Sequence, residues 1–159
     1  MTKDEADAEL EKIKNKRGEI VTNFAYIELL IKNICSVHYL GKIDENFLGE
    51  VLEDEYFGFA LLRNIFEKLL KKHPEVKFPM GKLRELSKLR NIIAHAQVTA
   101  EGIIKNPKIP SVSIQRMVFR HSGDVRDTNE TFSRYDELKS AIQEKVKLLP
   151  GGDHVRVSL

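Results

Sequence analysis

The chain has one cysteine, Cys35, among 159 residues, and 26 Lys and Arg nearly cancel 24 Asp and Glu to leave a formal charge of +2. A lone thiol excludes an intrachain disulfide and offers no CxxC pair to a metal, which suits a reducing, cytoplasmic setting. A near-neutral total excludes polyanion binding by whole-protein charge, so any nucleic-acid site must come from local clustering. No stretch approaches the roughly 20 apolar residues of a membrane span, and the opening MTKDEADAELEKIKNKRGEI is charged throughout rather than signal-like. The expectation is a soluble, unprocessed protein. Glycine-rich phosphate loops of the two common types are missing. His38, His73, His95, His121 and His154 are scattered with no i,i+4 pair and no neighbouring cysteine set, so no zinc or two-metal site is expected.

What the chain does have is a hydrophobic share of 42%, enough at this length for one globular core. From Leu10 an apolar residue returns every three or four positions, at Leu10, Ile13, Ile20, Phe24, Ile27, Ile31 and Ile34, with a single miss at Arg17. That stripe predicts a helix from about Thr2 to about Leu40, bent or split at Gly18. The seven-residue spacing of Ile13, Ile20, Ile27 and Ile34 suits shallow packing, either within a bundle or across a dimer. Glu28 interrupts the apolar run FAYIELLIKNIC, and a carboxylate there is exposed on the outer face, paired, or functional.

Gly41 is suited to a left-handed helix cap, and a second helical region follows from Phe47 to Leu70, broken near Glu53 to Glu55 and stopping before Pro74. Tyr56, Phe57, Phe59 and Phe66 share helical spacing with Leu and Ile, which predicts core rings rather than a base-stacking platform. Arg63, Lys68, Lys71, Lys72 and Lys77, continued by Lys82, Arg84, Lys88 and Arg90, make a local basic surface. It reads either as a solvated face or as phosphate contacts for RNA.

The stretch Lys82 to Gln97, KLRELSKLRNIIAHAQ, places Leu83, Leu86, Leu89 and Ile93 on one helical face. At about 100° per residue, Asn91 and His95 stand about 40° apart one turn along, Ser87 continues their row, and Arg90 lies about 140° from His95. The long arm of Arg90 can wrap toward the next turn, so guanidinium, amide and imidazole can meet on one anion. The plainer alternative is that Arg90 and His95 end a helix whose last turn favours positive and polar side chains.

Beyond His95, Val98 to Pro110 reads as a loop or irregular hairpin arm. The alternation from Val112 to Arg120 reads as a half-buried strand with Gln97 to Ile104 as its partner. HSGDVRDTN then turns the chain, and Phe132 to Leu149 returns to helix. Pro150, Gly151 and Gly152 release a short tail.

Arg90, Asn91, Ala94 and His95 resemble the signature of HEPN domains, an arginine followed by four to six residues and a histidine, often with Asn directly after the arginine. The resemblance covers most of the chain. It implies a mainly α fold, a HEPN-like helical bundle of long antiparallel helices with a small β-hairpin between the motif helix and the last helix. The implied domain is single, over 1–149, with 150–159 as a tail. It implies a metal-independent endoribonuclease that uses the 2′-hydroxyl of RNA as nucleophile and leaves a 2′,3′-cyclic phosphate, acting as a toxin or antiphage defence effector.

On this reading the catalytic candidates are Arg90, Asn91, His95 and Glu28, the last because an acidic residue in the first long helix of HEPN proteins often lies near the motif. The RNA-binding candidates are Lys82, Arg84, Ser87 and Lys88. The implied partners are RNA, a second copy in a homodimer whose two motifs face one cleft, and an antitoxin or regulatory protein, with no cofactor, metal or membrane. HEPN toxins paired with a nucleotidyltransferase antitoxin carry a tyrosine two residues beyond the histidine; Gln97 stands there, which puts that form of regulation in doubt. Some HEPN domains keep the fold without cleavage, so a non-catalytic dimerisation or protein-interaction module is the alternative.

Overall fold

Helical spacing carries most of the backbone, and the computed structural model, which describes residues 1–54, 58–104 and 112–153, is mainly helical with a small antiparallel sheet. In chain order the elements are α1 (Lys3–Leu40), a π-helical turn (Phe47–Leu52), α2 (Phe59–Leu70), a 3-10 turn (Pro74–Val76) and α3 (Met80–His95). Strands β1 (Gln97–Ile104), β2 (Val112–His121) and β3 (Asp124–Asp127) follow, and α4 (Thr128–Val146) comes last.

Local chemistry sets the ends of α1. Thr2 and Glu5 form a reciprocal capping box, with Thr2 N donating to Glu5 Oε2 at 2.6 Å and Glu5 N to Thr2 Oγ1 at 3.3 Å. Gly41 closes the helix in the left-handed region at φ 74°, its N–H bonded to the Val37 carbonyl at 2.9 Å. Gly18 does not split it into two helices, because the backbone hydrogen-bond ladder outweighs the roughly 1 kcal/mol that an interior glycine costs.

The expected hairpin is a three-stranded sheet in the order β1-β2-β3. Only Ser122 (φ 50°) and Gly123 (φ 81°) turn the chain, a two-residue loop with both φ positive, which suits the twist of flanking strands. The segment taken for a turn therefore contains β3, which is too short to show an apolar alternation. Asp127 ends it and begins α4, its Oδ1 accepting from Asn129 N at 2.9 Å and Glu130 N at 3.1 Å.

The chain divides into two compact units, one of Met1–Thr22 with Glu85–Glu137, the other of Asn23–Arg84 with Leu138–Leu159. In the first, Ile13, Ile20, Leu86, Leu89, Ile93, Phe119 and Tyr135 are buried. Phe119 meets Phe132 edge-on at 5.4 Å, and the Tyr135 hydroxyl donates to the Ile20 carbonyl at 3.2 Å. β1 and β2 pair from Gln97↔Arg120 onward, with an irregularity between Glu101 and Gly102.

In the second unit Phe24, Ile27, Ile31, Ile34, Leu62, Phe66, Leu138 and Ile142 are buried. Phe24 packs edge-on against half-buried Phe59 at 4.8 Å, and Phe66 against Phe78 at 5.0 Å, so these rings fill space between helices. Tyr56 and Phe57 lie outside the described residues, as do Pro107, Pro110 and the tail from His154. Pro150 to Gly152 does not simply release the tail. Gly151 and Gly152 are buried, and a Cβ at Gly152 would collide with the Val146 carbonyl.

One part of α1 meets the size and composition of a membrane span, with an 18-residue window of mean hydropathy 1.3, in contrast to the expectation that no stretch would. Half of that window is buried inside the protein. Among its residues Phe24, Ile27, Ile31 and Ile34 serve the core of the second unit.

Candidate functional site

The last turns of α3 carry the motif in the first unit. Leu89, Ile92 and Ile93 are buried, and so is Ala96, whose N–H still bonds to the Ile92 carbonyl at 2.8 Å. Helical spacing then sets Lys88, Asn91 and His95, three and four residues apart, in one row, and all three are exposed. Arg90 lies off this row and is half-buried. Its charge acts on Tyr135 of α4: burial chiefly raises the phenol above its usual range, Asp136 adds to that, Arg90 opposes it, and Glu19 again raises it. Ser87 is half-buried. The structure thus presents Asn91 and His95 together to solvent and leaves Arg90 half-buried, off their row.

A residue that the motif does not contain holds its end in place. Arg17 donates from Nη2 to the carbonyl of Ala96, immediately after His95, and its guanidinium carbon stands 5.2 Å from the centre of the Phe119 ring. Desolvation lowers the Arg17 pKa, and its Nε is enclosed with no hydrogen-bond partner. Its signal was already visible as the single polar miss in the apolar stripe of α1.

β1 starts two residues beyond His95, so the first rung of the sheet, Gln97↔Arg120, adjoins the motif in sequence. Arg120 donates from Nε to Thr99 Oγ1 at 3.0 Å and from Nη2 to Glu101 Oε1 at 2.9 Å. Arg116 reaches the other oxygen of the same carboxylate from Nε at 3.1 Å and Nη2 at 2.9 Å. Two guanidinium groups therefore converge on one acid.

Nearby in the same unit, Arg126 bonds Asp124 at 2.8 Å, and this bond, helped by the charges of Arg126 and Lys88, holds the Asp124 carboxyl below its usual range. Arg134 grips both oxygens of Glu85 at 2.8 Å and bonds Glu137 at 2.8 Å. Arg116, Arg126 and Arg134, with Leu89 and Asp127, line a cavity of about 350 Å³. The sequence reading missed Arg116 and Arg120 because strand register, and not spacing along the chain, brings them together.

The remaining candidates belong to the second unit. Lys82 is exposed, Arg84 pairs with Glu67 at 2.7 Å, and Glu28 pairs with Lys32 one turn on at 3.3 Å. Lys68, Lys71, Lys72 and Lys77 are exposed, whereas Arg63 is half-buried with its Nε enclosed. His38 and His73, distant in sequence, approach to 3.5 Å between Nδ1 and Nε2, and His73 Nδ1 lies 3.3 Å from Glu75. Burial, then the charges of Lys72 and His73, push the His38 pKa down. Among the described residues, no group of three or more His, Cys, Asp and Glu side chains is arranged to hold a metal ion.

Chemically, the exposed row offers an imidazole that can take or give a proton and an amide that can hold an oxygen, with fixed guanidinium groups on the adjoining strand. No protein-family model, no curated protein and no solved structure matches this chain.

Proposed function

We propose that the chain is a metal-independent endoribonuclease of the HEPN kind, acting as a homodimer in a reducing, cytoplasmic compartment. The observation that carries this reading is the exposure of His95, in one row with Asn91 and Lys88, at the end of a helix whose opposite face, with Leu86, Leu89 and Ile93, is buried. The order of elements, with a sheet between the motif helix and the last helix, supports it as well.

RNA brings its own nucleophile, so the protein has three tasks. It removes the 2′-hydroxyl proton, steadies the charge on the crowded phosphorane, and returns a proton to the departing 5′-oxygen. His95 supplies an imidazole, a group able both to take and to give a proton, which suits the proton transfers. Arg90 offers bidentate donors to the nonbridging oxygens, and Asn91 orients the phosphate or the ring. Base and acid are needed in the same passage, which a second copy of the motif supplies. The products are a 2′,3′-cyclic phosphate and a 5′-hydroxyl, and DNA resists because it lacks the nucleophile. A role as a toxin or antiphage effector, restrained by a regulatory protein, fits such an activity.

The test is incubation of RNA with the wild type and with His95→Ala in excess EDTA, followed by end-group analysis. Cleavage by the wild type alone, leaving cyclic phosphate ends, is expected; equal activity in both, or none in either, removes the assignment. A docking module working through the heptad stripe has less support, since Ile13, Ile20, Ile27 and Ile34 are at most 1% exposed within one chain.

A further inference from the structure

We infer that Arg116 and Arg120 form a second phosphate-binding position for RNA, next along the strand from the motif, and that Glu101 occupies it in the absence of RNA. The inference rests on the nuclease reading for its ligand, and on the sheet for its geometry. Three guanidinium N–H groups from two arginines of β2 close on the two oxygens of one carboxylate on β1 at 2.9 to 3.1 Å. Arg116 puts two N–H groups on one oxygen and Arg120 puts one on the other, a two-guanidinium clamp that suits the oxygens of a phosphate as well. Arg116 and Arg120 remain 55% and 47% exposed and Glu101 31%, so the cluster is open to solvent and carries one net positive charge.

An ion pair at that exposure contributes little, so an incoming phosphate displaces the carboxylate at small cost. Position also favours this cluster. Arg120 stands opposite Gln97, two residues from His95, so a strand lying on the exposed row meets Arg120 next. Glu101 then has a sign that plain structural roles do not share: it competes with RNA, and its removal tightens binding.

The experiment is fluorescence anisotropy with a labelled single-stranded 2′-O-methyl RNA, which cannot be cleaved, titrated with each purified full-length protein over a range of salt. Arg116→Ala with Arg120→Ala is expected to weaken binding and make the slope of log K against log salt shallower by about 0.7, because the two arginines share one phosphate and each single-strand phosphate contact contributes about 0.7. Glu101→Gln is expected to tighten binding severalfold. Lys12→Ala with Lys14→Ala, which removes the same charge elsewhere in the first unit, is expected to change affinity less than about twofold. Thermal melting of each variant separates lost binding from lost fold, and Arg116→Gln with Arg120→Gln serves if the alanine pair melts early. Unchanged affinity in the arginine variants, weaker binding in Glu101→Gln, or no binding by the wild type overturns the inference. Binding that follows this pattern, with no cleavage of unmodified RNA by the wild type, overturns the nuclease reading and leaves the phosphate position standing.

Discussion

The Arg17 guanidinium donates to the main-chain carbonyl of Ala96, the residue after His95, while its charged carbon sits over the Phe119 ring. One side chain of α1 thereby ties together the end of the motif helix and the middle strand of the sheet.

Losing that contact leaves a partly buried carbonyl without its charged donor. Arg17→Ala is expected to cost about 1.5–3 kcal/mol in urea denaturation, the range for hydrogen bonds to charged groups. RNA cleavage should fall with it, and Arg17→Lys should recover stability only in part because an ammonium has no planar face to stack. Full stability in Arg17→Ala would show that the junction is held by the strand and helix alone.

The stripe of α1 is core, and its energetics should say so. Ile20→Ala is expected to cost about 2–5 kcal/mol, as cavity-forming changes do, whereas Leu148→Ala, at a residue 60% exposed, should stay within about 0.5 kcal/mol. Chemical denaturation of both variants checks the contrast.

Glu28→Gln separates two roles for that carboxylate. Its pairing with Lys32 at 3.3 Å is an i,i+4 ion pair worth about 0.2–0.5 kcal/mol, so stability should hardly move. Cleavage is expected to stay within about twofold of the wild type, which a side chain orienting the imidazole would not allow.

Burial pushes the Cys35 thiol up to about 12. A raised folded-state pKa means that the neutral form is favoured by the fold. The associated stability is complete below the unfolded thiol's value, near 8.5, and drains away as pH rises from there toward 12. Between pH 8 and 10 the wild type should lose more stability than Cys35→Ala. At pH 7 the native thiol should react with a disulfide reagent only after unfolding.

His38 titrates with the opposite sense. Its pKa is lowered in the fold by burial, Lys72 and His73, so its contribution is present above the unfolded value near 6.5 and lost as pH falls through the folded one. Melting temperatures measured from pH 7 to pH 5 should drop more for the wild type than for His38→Asn.

Much of the fold was legible from periodicity alone. The long first helix, the motif helix and the pairing of Gln97–Ile104 with the strand from Val112 follow from spacings of 3.6 and 2, which report which faces must be covered. The third strand was not legible, because DVRD has no apolar alternation and the positive φ at Ser122 does not carry the usual Asn-Gly mark. The packing of Gly151 and Gly152 was equally hidden, since close backbone approach leaves no side-chain signal.

By itself the sequence determined the row on which Asn91 and His95 stand, because helix geometry converts spacing into direction without help from the rest of the chain. It determined as well that one polar residue, Arg17, would interrupt an apolar stripe. Only the tertiary structure decided what Arg17 bonds to, that the charge of Arg90 acts on Tyr135, and that Arg116 and Arg120 share Glu101. The physical reason is range: helical periodicity is set by neighbours within four residues, whereas these contacts join groups 15 to 79 residues apart, or act between helices, and depend on strand register and packing.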